Sequence, residues 1–236
     1  MKKVVVVGGG AAGLMAAIAA AESGAKVTLL ERNKQMGKKI LVTGNGRCNL
    51  TNTDQSLTHY RTSEPGFPAQ VLDRVGIQDT LNKFTEFGIF TKNRNGYLYP
   101  YSDQAASVAE VLRLEAEHLG VKLALNTEAL GLTRTEKGFQ VRTEGWSYPA
   151  DAVILTAGSK AAPETGSDGS GYTLARSLGH RIVRPLPALV QLRCKEKIFE
   201  KLAGVRMDAK VEVYTEKKLL ASDQGEVQFT KNGISG

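Results

Sequence analysis

The sequence predicts an α/β protein: a parallel sheet, a β-meander across one face, and the start of a second, β-rich segment behind it. Three observations carry that prediction. A β-branched run, Val4 to Val7, leads directly into Gly8-x-Gly10-x-x-Gly13, an Ala-rich stretch and a second apolar run from Lys26 to Leu30. Three short pieces, Glu128–Thr133, Gly138–Thr143 and Trp146–Pro149, are separated by the turn signals Glu136-Lys137-Gly138 and Glu144-Gly145. Val153 to Thr156 then returns to the composition of a buried strand and stops at Ala157-Gly158.

Taken in order, Val4–Val7 has the uniform composition of a strand covered on both faces. Gly8 permits a tight turn, Gly10 lets a pyrophosphate approach the backbone, and Gly13 lets helix and strand pack closely. A helix is expected from about Leu14 to Ser23, stopped by Gly24, with its unpaired N–H groups and positive end toward the phosphates. Glu31 lies 18 residues beyond Gly13, where a carboxylate would accept ribose hydroxyls. Strand, turn, helix and acid together read as a dinucleotide-binding unit. Met-Lys-Lys before an apolar run also resembles a secretory signal. Four glycines interrupt that run, however, and it continues into an ordered strand ending at Glu31. No other segment reaches the roughly 18 apolar residues that a membrane span needs.

Residues 32–52, RNKQMGKKILVTGNGRCNLTN, show neither helical nor strand period. Such a loop can wrap a phosphate or ring with backbone amides while its cations neutralise charge. Residues 53–66 read as a polar connector ending in Pro65-Gly66, and Val71–Phe87 as helical with a break near Gly76. Gly96–Pro100 is a short extended piece. Ser102-Asp103 is expected to cap a helix over about Gln104–Leu119, ended by Gly120, and Val121–Leu125 is a third parallel strand. A nicotinamide-dependent domain would repeat strand–helix–strand units here. A meander in that place, followed by a strand with a small-Gly turn, points instead to FAD. Lys210–Tyr214, Lys218–Ala221 and Glu226–Phe229 are further strands, and the expected domain division is 1–188 and 189–236.

Composition bounds the rest. With 236 residues, 42% hydrophobic and 23% charged, the chain is of ordinary globular type. Cys48 and Cys194 stand far apart without a CxxC, which argues against a disulfide framework or zinc site, and a reducing cytoplasm is expected. The +7 charge is uneven: residues 1–60 hold eight Lys/Arg against three Asp/Glu, where phosphate-binding cations are useful. No basic cluster with interleaved aromatics stands out, so a nucleic-acid partner is not expected. A small-molecule substrate is.

The chain resembles the BaiN-like (YhiN-type) family of bacterial NAD(P)/FAD-dependent oxidoreductases, relatives of the glutathione-reductase-like flavoproteins. The resemblance is carried by VVVVGGGAAGLMAA, ERNKQMGKKILVTGNGRCNLTN, GYLYPYSDQAASV, LTAGSKAAPETGSDGSGYTLARSLGH and GEVQFTKNGISG. It implies that Gly8, Gly10, Ala11, Ala12 and Gly13 cradle the FAD pyrophosphate and that Glu31 holds the adenosine ribose. Arg32 and Lys39 would flank the cofactor, and Asn45, Gly46, Arg47, Cys48 and Asn49 would lie near pyrophosphate and flavin. Ala129 would meet the adenine, and Thr156, Ala157 and Gly158 would form a second cofactor turn, where relatives commonly read Ala-Thr-Gly-Gly. Relatives are longer, with a substrate domain inserted in the FAD domain, so the chain is expected to be the N-terminal part of a longer protein.

The implied activity is flavin-mediated hydride transfer on a small or steroid-like substrate, with NAD(P)H as a possible donor. Amine oxidation, RNA modification and a non-catalytic FAD-binding fragment are the alternatives. No catalytic residue is expected in this stretch, because the flavin performs the chemistry. Cys48 lacks a second nearby cysteine and is expected to pack rather than relay electrons. His180 reads as a helix C-terminal residue, His59 and His118 as solvent-facing. Tyr97, Tyr99 and Tyr101 read as a half-buried strand. No metal-ligand spacing emerges.

Overall fold

The computed structural model describes residues 1–60, 62–64, 66–187 and 190–235. It falls into two compact units, Met1–Val183 and Arg184–Gly236. The boundary expected between residues 188 and 189, and Pro65 of the expected connector, lie outside the described residues.

In the first unit, β1 (Lys3–Val7), α1 (Ala11–Glu22) and β2 (Lys26–Leu30) form the strand–helix–strand unit read from the glycine spacing. The helix begins three residues before Leu14, because Gly10 takes the N-cap position. Next come β3 (Thr51–Asn52), α2 (Gly66–Leu72), α3 (Ile77–Glu86), β4 (Thr91–Arg94), β5 (Tyr97–Pro100), α4 (Ala105–His118) and β6 (Lys122–Ala124). The meander is β7 (Gly131–Thr135), β8 (Gly138–Arg142) and β9 (Ser147–Ala150), and β10 (Ala152–Leu155) and α5 (Ser170–Ser177) complete the unit.

The parallel sheet has the order β10-β1-β2-β6. Alternate residues of β1 serve different cores. Val4 and Val6, with Val27 and Leu29 of β2, pack against Leu14, Ala17 and Ile18 of α1 and Val108 and Leu112 of α4. Val5, Val7 and Leu30 face Leu132, Val141 and Ala150 of the meander and Leu174 of α5. Both faces of β1 are therefore dry, which is why its sequence is uniformly apolar. The meander occupies the layer that crossover helices cover in a doubly wound sheet.

Several expectations need correction. The helical stretch starts at Gly66, before Val71; the break near Gly76 holds, with Gly76 as N-cap of α3 and its N–H donated to Asp79 Oδ2 at 2.9 Å. Ser102-Asp103 does not cap α4. Gln104 is the N-cap, and Asp103 turns away to ion pairs with Lys92 and Arg94. Val153–Thr156 is half-buried, since β10 is an edge strand with β1 as its one neighbour. The 32–52 loop does hold structure: a short 3-10 turn from Ile40 that breaks at a kink over residues 43–45, and β3.

In the second unit, β11 (Leu192–Arg193), α6 (Ile198–Leu202), β12 (Arg206–Thr215), β13 (Lys218–Thr230) and β14 (Gly233–Ser235) form an antiparallel sheet of order β11-β14-β13-β12. Lys218–Ala221 and Glu226–Phe229 belong to one strand, because β13 runs unbroken through the polar Ser222–Gly225. Among the described residues no helix is long and apolar enough to cross a membrane.

Candidate functional site

Three chain segments converge where β1 ends. Gly8, at φ +103°, is the turn, and a Cβ there would lie 2.6 Å from the Thr156 carbonyl oxygen. A Cβ on Gly13 would lie 1.8 Å from the Gly8 carbonyl oxygen, so helix and turn touch backbone to backbone. Both glycines are demanded by the protein itself. Gly10 differs: its φ is −79°, any residue could adopt it, and a Cβ there meets nothing within 4 Å. Gly10 itself lines a cavity of about 380 Å³, together with Gly8, Ala11 and Ala12. No side chain caps α1, and its first turn carries no acid. Unpaired N–H groups and the positive end of the helix dipole thus open toward the cavity, the arrangement that accepts a phosphate.

Glu31, buried, ends β2 on the opposite side. Its Oε2 accepts the Gly9 N–H at 2.7 Å; its Oε1 accepts the Asn33 N–H and Asn33 Nδ2, each at 2.7 Å. A carboxylate offers about four acceptor positions, and three are already engaged. Glu31 is therefore a keystone of the glycine turn. Gly37 N–H, donated to the Gly9 carbonyl at 2.7 Å, closes the loop over the turn.

The 163–168 segment forms the far rim. Arg32 pairs with Asp168 at 2.7 Å and with Glu128 at 3.3 Å. The Arg32 hydrogen bond holds the Asp168 carboxyl far below the ordinary carboxylate range, and Asp168 in turn raises Arg32. Asn33 Nδ2 donates to the Thr165 carbonyl at 3.2 Å and Lys38 Nζ to the Glu164 carbonyl at 2.7 Å. Ser167, buried, donates to the Ser159 carbonyl at 2.7 Å.

Of the expected site residues, Gly8, Gly10, Ala11, Ala12, Glu31, Lys39, Cys48, Asn49, Thr156, Ala157 and Gly158 line the main cavity. Arg32 and Ala129 line a smaller one of about 40 Å³ beyond Glu31, together with Glu128. Gly13 is a packing residue. Asn45, Gly46 and Arg47 border neither cavity: Asn45 and Gly46 are exposed, and Arg47 lies over the Tyr99 ring, 5.4 Å from its centroid. Burial pushes the Cys48 thiol pKa up, the state of a packed, protonated thiol. His59, His118 and His180 are exposed.

Residues that sequence reasoning missed are Asn33, Lys38, Thr165 and Ser167, whose polar groups reach the rim, and Phe84, Val108 and Leu112, which make the cavity's apolar end. Asn33 was findable two positions after Glu31. The helix residues carried no signal beyond ordinary core periodicity. The expected absence of a basic cluster with interleaved aromatics is also corrected. β4 and β5 pair Lys92 with Tyr99 and Arg94 with Tyr97, and Lys92 lies over the Tyr101 ring, 5.6 Å from its centroid.

Comparison with known proteins places this geometry. The chain matches the family described as HI0933-like protein Rossmann domain over residues 2–235. It is 50% identical over 225 residues to 3-dehydro-bile acid delta(4,6)-reductase of Clostridium scindens, covering 94% of this chain and 55% of that protein. Ribosomal RNA dihydrouridine synthase of Haemophilus influenzae is 28% identical over 230 residues, covering 94% of this chain and 56% of that protein. The chain thus spans about half the length of the curated relatives it matches. Among solved structures, 3-ketosteroid-delta4-(5alpha)-dehydrogenase from Rhodococcus jostii RHA1 superposes with a TM-score of 0.55 at 17% identity, over 75% of this chain and 54% of that one. That last likeness is one of fold.

Proposed function

We propose, from the premise that this chain belongs to the HI0933-like Rossmann-domain family, that Met1–Val183 holds the FAD of a reductase acting on a bile-acid-like small molecule. The observation that carries the reading is the uncapped start of α1 opening beside Gly10 into the 380 Å³ cavity. The residues present fit a dinucleotide there: Gly10 leaves free the space that a Cβ would fill, and cations and backbone N–H groups line it. The 50% identity to a bile-acid reductase supports the substrate class.

When bound, FAD supplies hydride and electron transfer through its isoalloxazine ring, with NAD(P)H as the proposed donor. The chain's own residues do the rest. The N–H groups of Ala11 and Ala12 would meet pyrophosphate oxygens, and Lys39, without an ion-pair partner among the described residues, would offset their charge. Glu31 holds the Gly9 N–H and keeps one acceptor position toward a ribose hydroxyl. Arg32, Glu128 and Ala129 would border the adenosine. Cys48, Phe84, Val108 and Leu112 exclude water from the apolar end.

RNA modification, the activity in the name of the 28% relative, is the weaker reading. The cations of the β4–β5 hairpin are already engaged by aromatic rings and by Asp103. One experiment separates the possibilities. The purified chain is loaded with FAD, and Gly10→Val is compared with the parent by fluorescence titration and thermal melting. The reading expects a melt within a few degrees and an FAD affinity lower by at least about 100-fold, since the valine fills phosphate space. NADPH oxidation by the FAD-loaded protein is then assayed with a dehydro bile acid and with ribosomal RNA. Full FAD affinity in Gly10→Val would overturn the cofactor placement, and turnover on RNA alone would overturn the substrate class.

A further inference from the structure

We propose that Tyr99, whose ring is met by the guanidinium groups of both Arg47 and Arg94, is a positioning residue that fixes the left-handed turn Gly44–Cys48, and with it the part of the cavity wall made by Cys48 and Asn49. The inference rests on the reading of that cavity as a flavin-nucleotide site.

The turn is an unusual piece of backbone. Gly44 (φ 54°), Asn45 (φ 55°), Gly46 (φ 81°) and Cys48 (φ 62°) all occupy the left-handed region. Glycine does so freely and asparagine tolerably, but Cys48 does so only where its surroundings over-determine the conformation. Local hydrogen bonds account for part of this. Cys48 N–H donates to the Thr43 carbonyl at 3.1 Å, and Arg47 donates to the Gly44 carbonyl from both its N–H and its Nε at 3.1 Å. The remainder comes from the hairpin. A Cβ on Gly44 would lie 3.1 Å from Tyr99 Cε1 and 2.9 Å from the Asn49 nitrogen, so ring, turn and chain exit are in direct contact.

Tyr99 is itself held. Arg47 and Arg94 lie over its ring, at 5.4 Å and 5.7 Å from the centroid. Arg94 is anchored by Asp103 at 2.7 Å, and Lys92 pairs with the same carboxylate. The chain leaves the turn pinned to the same strand: Leu50 N–H donates to the Leu98 carbonyl at 2.8 Å. The Asn49 amide, with its nitrogen toward the strands, donates to Thr51 and Leu98 carbonyls at 3.0 and 3.2 Å. Arg47, Lys92, Arg94 and Tyr99 do not line the cavity, whereas Cys48 and Asn49 do. The cluster therefore acts through the turn. Leu98 and Pro100 fill the buried face of β5, leaving Tyr99 on the other face, in contact with the turn.

Cys48 reports on the turn without any cofactor. Its thiol is buried and its pKa raised by that burial, so alkylation at neutral pH is slow while the turn holds. In the full chain carrying Cys194→Ser, Cys48 is the one remaining cysteine. Iodoacetamide labelling of the flavin-free protein, and the rate of FAD release after loading, are measured for the parent, Tyr99→Phe and Tyr99→Leu. Losing two cation–π contacts and the ring's contact with the turn is expected to raise both rates about tenfold in Tyr99→Leu. Tyr99→Phe, which keeps the ring, stays within about twofold of the parent. Should Tyr99→Leu not fold, Arg94→Gln, which removes a cation from the Tyr99 ring without touching a hydrogen bond of the turn, serves in its place, with a change of the same sign and about threefold. The proposal fails if labelling is unchanged when the ring is lost, if Tyr99→Phe behaves like Tyr99→Leu, or if the faster labelling tracks global unfolding in its urea dependence. A parent chain that binds no FAD defeats the cofactor reading, while the Cys48 labelling still decides the role of Tyr99.

Discussion

The two units of this chain use the same kinds of residue to opposite effect. In Met1–Val183 the strands are short, yet Val6, Leu14, Ile18 and Leu29 are fully removed from solvent. In Arg184–Gly236, β12 pairs with β13 along its whole length, yet Leu192, Val205, Leu219 and Leu220 remain about half exposed. The first unit has α1 and α4 on one face of its sheet and the meander with α5 on the other; the second has ladder hydrogen bonds without a closed second layer among the described residues. Backbone pairing and core formation are separate achievements, and only the second removes enough apolar surface from water to stabilise a unit.

The largest expected consequence is in hydrogen exchange. Amides of β1 and β2 should exchange near the global opening limit, and those of β12 and β13 on the order of a thousandfold faster or more. Comparable protection in the two sheets would break the comparison. Glycine substitutions sharpen it. Gly13→Ala places a Cβ against the backbone carbonyl of Gly8 and against Thr156 Oγ1, which is held by hydrogen bonds to the Val7 and Gly8 carbonyls, and should cost about 3 kcal/mol in a denaturant melt. Gly225→Ala meets nothing within 4 Å and should change stability by less than about 0.5 kcal/mol.

A smaller effect is expected at Glu31. Glu31→Gln must turn an amide NH₂ toward either Gly9 N–H or Asn33, leaving a buried donor without an acceptor. About 1–3 kcal/mol of stability should go with it, read as a fall in melting temperature before any cofactor is added. An unchanged melt would mean that Glu31 serves the ligand alone.

The smallest effect separates two ion pairs of similar exposure. Asp168 is held down in pKa by Arg32, so its stabilisation is full above the ordinary carboxylate value of about 3.9 and is lost as pH falls below it. Asp168→Asn should therefore lower the melting temperature slightly at pH 7, by well under about 1 kcal/mol given the exposure of the pair, with the gap closing in acid. Arg206→Gln, which removes the pairing with Glu226 in the second unit, should leave unfolding unchanged, because that pair braces no buried layer.

Much of the first unit was legible because its signals are local. Gly8 and Gly13 are required by a turn and a close approach within a dozen residues, and the Lys26–Leu30 strand follows from composition. The meander was legible from its turn residues, and His59 and His118, read as solvent-facing, and His180, read as a helix C-terminal residue, are all exposed. The cap at Ser102-Asp103 was misread because Asp103 had a stronger use, two cations on a neighbouring strand, that spacing along the chain does not show.

The sequence by itself determined where this protein turns, and that its first strand would be covered on both faces, since steric demands and hydrophobic period act over a few residues. Tertiary structure alone decided which groups meet. Asn33 reaches Thr165 across 132 positions, Arg32 reaches Asp168 across 136, and Arg47 finds Tyr99 on a hairpin that no local rule connects to it. Such meetings depend on strand register and layer packing, which follow from burying the whole apolar surface at once rather than from the preference of any one segment.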